Sequence, residues 1–138
     1  MPDTLQVVDR LVAATNAHDL DRLVDCFAVD YVNKTPAHPL RGFSGRDQVR
    51  RNWSAIFAGV PDIAATVTSA AVDGRTAWTE WEMRGTRRDG VPHAMAGVII
   101  FDVAADRIGS ARFYLEPVET ASGDVDAAVV GAMNAPKP

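Results

Sequence analysis

The segment Ala17-His18-Asp19-Leu20-Asp21-Arg22-Leu23-Val24-Asp25-Cys26-Phe27-Ala28-Val29-Asp30-Tyr31 joins two short amphipathic helices and runs on into a strand. Asp19 is placed to cap the second helix, and Asp21 falls in its first turn, where the helix dipole favours negative charge. Leu20, Leu23, Val24 and Phe27 form the apolar stripe of that helix. His18 stands just ahead of the cap, so it is expected to hydrogen-bond backbone at the junction rather than serve chemistry. Upstream, Leu5, Val8, Leu11, Val12 and Thr15 recur at helical spacing, and residues 4–17 read as a first amphipathic helix.

Downstream, a short strand over 30–35 is closed by Pro36 and Pro39, which break any regular element. Ser44-Gly45-Arg46-Asp47 has the form of a capping box. Behind it Val49, Trp53, Ile56, Phe57 and Val60 repeat at helical spacing, and Gly59 and Pro61 end that helix. From Asp62 the character changes. β-Branched and aromatic residues alternate between turn signals at roughly ten-residue spacing. Asp73-Gly74 marks a two-residue hairpin, Arg87-Arg88-Asp89-Gly90 a second turn and Ala104-Ala105-Asp106 a third. Four antiparallel strands follow, at about 62–72, 75–86, 92–103 and 107–116. Helices first and a meander afterwards predict an α+β fold, with the helices packed on one face of a curved antiparallel sheet. Residues 1–120 read as one domain, and 121–138, with Gly, Ala, Asp and two prolines, as a loosely held tail.

Alternation assigns the faces of the second long strand. Ala77, Thr79, Trp81 and Met83 point toward the helices, and Trp78, Glu80, Glu82 and Arg84 point away. A large aromatic among charges on the outer face is expected at a contact with a second copy of the chain.

Composition narrows the classes. At 138 residues, 47% of them apolar, the chain holds one core and no run near membrane-span length. The net charge of −4, without long charge runs, excludes a basic nucleic-acid surface. Arg46, Arg50 and Arg51, and Arg84, Arg87 and Arg88, read as solvated surface. Cys26, the one cysteine, cannot form an internal disulfide and reads as a small buried apolar residue. The N-terminus has no basic segment followed by an apolar one, so the expected location is cytoplasmic. Asn33-Lys34-Thr35 and Asn52-Trp53-Ser54 match the glycosylation pattern by chance on that reading. His18, His38 and His93 lack metal-ligand spacing, and there is no glycine-rich phosphate loop and no Gly-x-Ser-x-Gly elbow, so neither metal nor cofactor is expected.

The opening segment, of the form Asn-x-His-Asp-x-Asp … Phe-Ala-x-Asp-Tyr, resembles the start of the nuclear transport factor 2-like superfamily, in particular its SnoaL-like branch. Phe57-Ala58-Gly59-Val60-Pro61-Asp62 resembles that branch's lead-in to the first long strand. Gly85-Thr86 with Gly90-Val91-Pro92 resembles its middle hairpin, and Asp106-Arg107-Ile108 with Arg112-Phe113-Tyr114-Leu115-Glu116 its last strand. The resemblance spans residues 3–117. It implies a cone-shaped α+β domain with one deep pocket between sheet and helices, commonly a homodimer through the outer sheet face. Relatives include polyketide cyclases, ketosteroid isomerases and limonene-type epoxide hydrolases, and also proteins that only bind.

Tyr31-Val32-Asn33 followed by Pro36 resembles the hydrolase segment in which a Tyr and an Asn hold the attacking water. That hydrolase also uses an Asp–Arg–Asp relay, whose first Arg and Asp align with Trp81 and Met83 and whose last Asp aligns with Phe113. All three are apolar here, which removes the base of that mechanism. The acid/base Asp of SnoaL-type cyclases also aligns with Phe113. His38, in a proline-bounded loop at the expected pocket mouth, is the first candidate to stand in for it, since histidine changes charge nearest neutrality. His93 and Glu116 come after it, and Glu116 has the parity opposite to Phe113 and Leu115. The expected catalytic set is therefore Tyr31, Asn33 and His38, with a substrate wall of Trp53, Phe57, Trp81, Met83, Met95 and Phe113. The function that follows is a cyclase or isomerase acting on a hydrophobic, polyketide-like intermediate, mainly by positioning it. The alternatives are a non-catalytic dimeric binder of a small apolar ligand and an epoxide hydrolase with a rewired relay.

Overall fold

Thr4–Asn16 forms helix α1, because its apolar residues fall on one stripe and its first turn is satisfied. Asp3 caps it by accepting from the Leu5 amide, and the Gln6 side chain accepts from the Asp3 amide, so two otherwise orphaned N–H groups have partners. The computed structural model describes residues 3–120 and 123–136. Helix α2, Leu20–Asp25, starts at Asp19, whose carboxylate accepts from the Arg22 amide as its position predicts. Phe27 does not continue the α2 stripe. It opens strand β1, Phe27–Lys34, which is longer than the 30–35 expected from the two prolines.

Pro39 does not merely break structure. It begins a short 3-10 turn, Pro39–Arg41, where its missing N–H costs nothing. Strand β2, Phe43–Ser44, pairs back on β1. The expected capping box at Ser44 does not form. Ser44 is engaged in the ladder opposite Val32, and Gly45 stands at the helix start with φ of 90°, a left-handed value that suits glycine. Helix α3 then runs Arg46–Gly59.

The four predicted strands form as a meander: β3 Ala64–Asp73, β4 Thr76–Thr86, β5 Pro92–Ala104 and β6 Arg107–Pro117. The sheet order is β2-β1-β6-β5-β4-β3. The meander is antiparallel, but β1 lies parallel to β6, with Asn33 opposite Ala111, so the sheet as a whole is mixed. Its partner lies some eighty residues away in the chain, beyond the reach of hairpin signals. The sheet is curved and unclosed, and α1, α2 and α3 pack on its concave face. Gly97 sits in the middle of β5, and a Cβ there would come within 2.1 Å of the Tyr114 carbonyl oxygen. Only glycine permits that approach of β5 to β6. A bulge in β3 between Val67 and Ser69 adds to the bend.

The alternation read for β4 holds: Ala77, Thr79, Trp81 and Met83 are buried, and Trp78, Glu80, Glu82 and Arg84 are exposed. In the segment read as a loose tail, a helix α4 forms over Val125–Met133, capped by Asp124. It buries none of its residues. Residues 121, 122, 137 and 138 of that tail lie outside the described residues. No helix among the described residues is long and apolar enough to cross a membrane.

Candidate functional site

Burial along the concave face is uneven. Near the Asp73-Gly74 turn, Ala77, Thr79, Phe101 and Ala111 are each at most 1% exposed, and α1 closes over them. Toward the opposite end, around the β4–β5 hairpin, the facing side chains His93, Met95, Phe113 and Leu115 are only half-buried. Between them and α3 lies a cavity of about 460 Å³.

Its wall is built from β1, α3 and the long strands, with β2 and the 3-10 turn at its edge. From β1 come Tyr31 and Asn33, two residues apart on one face, with Thr35 just beyond. The Tyr31 hydroxyl donates to Asn33 Oδ1 at 2.8 Å, and Asn33 Nδ2 reaches Thr35 Oγ1 at 3.4 Å. Burial pushes the Tyr31 phenol well above its ordinary range, so its proton stays in place. From α3, Val49, Asn52, Trp53 and Ile56 project at i, i+3, i+4 and i+7, one face of the helix. Asn52 Oδ1 accepts from Gln48 Nε2 at 2.8 Å, which leaves its amide N–H groups for the cavity. From the long strands come Met83, His93, Met95, Phe113 and Leu115. Phe43 closes the β2 side, and Arg41 reaches the rim from the 3-10 turn.

Of the nine residues that sequence reasoning nominated, six are in this wall: Tyr31, Asn33, Trp53, Met83, Met95 and Phe113. Three are not. Trp81 is 2% exposed and sits in solid core, with its indole N–H donating to Thr79 Oγ1 at 2.7 Å and its ring tilted against Phe101. It has the right parity but lies one step nearer the closed end. Phe57 turns away from the cavity and stacks on His18 at 5.0 Å between ring centroids. His38 also lies outside the wall, and its Nε2 bonds Glu116 Oε1 at 2.7 Å. The opposite parity read for Glu116 accounts for this: the carboxylate leaves the concave face and meets the loop that carries His38. The pair anchors the Thr35–Gly42 loop, and the Arg41 N–H donates to the His38 carbonyl at 2.9 Å.

His18 has φ of 54° and its Nε2 bonds the Ile63 carbonyl at 2.7 Å, the backbone contact its position predicts. Cys26 is buried, and burial raises its thiol above the ordinary value. Arg41 and Asn52 were missed. Asn52 carried a signal, as the one polar residue on the apolar stripe of α3. Arg41 carried none, because the 3-10 turn that aims it depends on tertiary contacts. Chemically, the wall offers hydrogen-bond donors and apolar surface. Among the described residues no Asp or Glu lines it, so none of them offers a carboxylate there as a base. No group of three or more metal-ligating side chains occurs among the described residues.

The fold places the chain among known structures. IdmH from Streptomyces antibioticus, itself a proposed polyketide cyclase, is 23% identical over 83% of this chain and 92% of that one, with a TM-score of 0.72. A protein of Shewanella denitrificans, proposed as a SnoaL-like polyketide cyclase, is 14% identical over 84% of this chain and 92% of that one, with a TM-score of 0.70. A Catenulispora acidiphila protein with a ketosteroid isomerase-like fold, in complex with trimethylamine, is 21% identical over 81% and 87%, with a TM-score of 0.70. At these identities the likeness is one of fold. None of the curated proteins matches the chain. The model of the SnoaL-like domain matches residues 8–111, most of the length, and the chain belongs to that family.

Proposed function

We propose that this protein is a cyclase or isomerase that acts on a hydrophobic, polyketide-like intermediate, chiefly by holding it in a reactive conformation. The observation that carries the reading is the cavity of about 460 Å³, walled by Trp53, Met83, Met95 and Phe113 and free of carboxylates. Such a site binds an apolar molecule and excludes water, and orientation alone removes a large part of a ring-closure barrier. The hydrolase alternative lacks a carboxylate base in this wall, as far as the described residues form it. Non-catalytic binding is the reading to be separated from catalysis, because the same absence of a carboxylate favours it.

The test is product formation from polyketide-like and related apolar substrates, compared with Phe113→Trp, which fills the cavity. Turnover lost in the filled variant supports the proposal. Binding without turnover in the unaltered protein leaves a ligand-binding module instead. We propose also that the chain dimerises through its outer sheet face, where Trp78 and Tyr114 are each 41% exposed beside Glu80, Glu82 and Arg84. Light scattering that reports only monomer at micromolar concentration would overturn this.

A further inference from the structure

The rim of the cavity carries a charge that its apolar wall does not require. Among the described residues Arg41 is the only permanently charged side chain in the wall. Among the described residues it forms no ion pair, a state it shares with Arg10, Arg22, Arg46, Arg51, Arg75, Arg84 and Arg88, but of these arginines it is the one that borders the cavity. The carboxylate bonded to the loop of Arg41, that of Glu116, is engaged by His38. The backbone at Arg41 is nevertheless fixed by the 3-10 turn, through its N–H to the His38 carbonyl and the Gly42 N–H to the Pro39 carbonyl. The guanidinium is thus left without a counter-charge while its base is held.

The other polar groups of the wall agree in sign. Thr35, Asn52 and His93 each offer a donor, whereas the Tyr31 proton is already spent on Asn33. The topology brings them to one end of the sheet: β1 and β6 are parallel, so the loop after β1, the end of β6 and the start of β5 lie together. A guanidinium at the edge of an apolar, low-dielectric wall attracts an anion more strongly than one in open water, and its fork matches a carboxylate.

We propose that the cavity selects amphipathic anions: an apolar body lies inside, and one ionised oxygen group such as a carboxylate is bound by Arg41 at the rim, with Thr35, Asn52 and His93 as flanking donors. This rests on the cavity being a hydrophobic-ligand site and adds a charge requirement to it. The test is calorimetric titration of the full chain with naphthalene-2-acetate and with naphthalene-2-acetamide, which share one apolar body and differ in charge. The unaltered protein should bind the acetate at least about tenfold more tightly, a difference of about 1.4 kcal/mol. Arg41→Gln should bring the two affinities together by weakening the acetate alone, and Arg41→Lys should keep part of the preference. Met95→Trp, which fills the cavity, should remove binding of both. Equal affinities in the unaltered protein overturn the charge requirement and leave the hydrophobic site standing. Failure of both probes to bind overturns the site itself and this inference with it. A preference that survives Arg41→Gln, or acetate binding that survives Met95→Trp, places the anion elsewhere and overturns the assignment.

Discussion

The two ends of the concave face make an instructive pair. At the closed end, Ala77, Thr79, Trp81, Ile99 and Phe101 are all nearly inaccessible, and the start of α1 is tied to the β3–β4 turn by the Thr4 hydroxyl, which donates to the Gly74 carbonyl at 2.8 Å. At the open end, strands of the same composition and alternation surround a void, because α3 stands across from them with Trp53 and Ile56 only half-buried. Both ends follow the same period-2 pattern. The difference lies in which helix covers them, and it teaches that a strand's inward face is not yet a binding site.

Phe101→Ala or Trp81→Ala puts the largest strain on this comparison. Each removes a large aromatic from solid packing and should cost about 3–5 kcal/mol in denaturant unfolding. Phe113→Ala, bordering a space that already exists, should cost about 1 kcal/mol. Equal losses at the two ends would mean that the cavity is closed up in solution.

Tyr31→Phe should have an intermediate effect. It leaves Asn33 Oδ1 without its donor at a buried site and should cost about 1–2 kcal/mol. It also carries a pH signature. Burial raises the Tyr31 pKa in the folded protein above the value of about 10 in the unfolded chain. The contribution to stability is therefore complete below about pH 10 and is lost as pH rises above it, when the unfolded chain releases the proton first. Melting temperatures of the unaltered protein should fall more steeply above pH 10 than those of Tyr31→Phe. Parallel curves would place Tyr31 in contact with water and extend the open end further down β1.

The smallest effect is expected from ending the chain after Thr120. Helix α4 exposes Val125, Val129, Val130 and Met133 and buries nothing, so thermal unfolding should shift by less than about 0.5 kcal/mol. A larger loss would show that α4 contributes to one of the two ends.

Local chemistry made most of the fold legible. Asp19 announced α2, Asp73-Gly74 and Arg87-Arg88-Asp89-Gly90 placed the hairpins within a residue or two, and β4 alternates as read. Strand parity and the family resemblance together placed Tyr31, Asn33, Met83 and Phe113 at the cavity, and parity sent Glu116 the other way. These features depend on neighbours within a few residues, where turn geometry and side-chain period are dictated by the chain itself. Trp81 shows the limit, since it shares the parity of Met83 yet belongs to the core. Position along a strand acquires meaning only when a distant helix covers one end and not the other. The same holds for the parallel pairing of β1 with β6 and for Arg41, aimed by a turn whose anchor, Glu116, lies 78 residues from His38. The sequence by itself determined the elements, their order and their inward faces; only the tertiary structure decided which inward residues border empty space and which charge stands at its rim, because both depend on packing between segments that no local pattern connects.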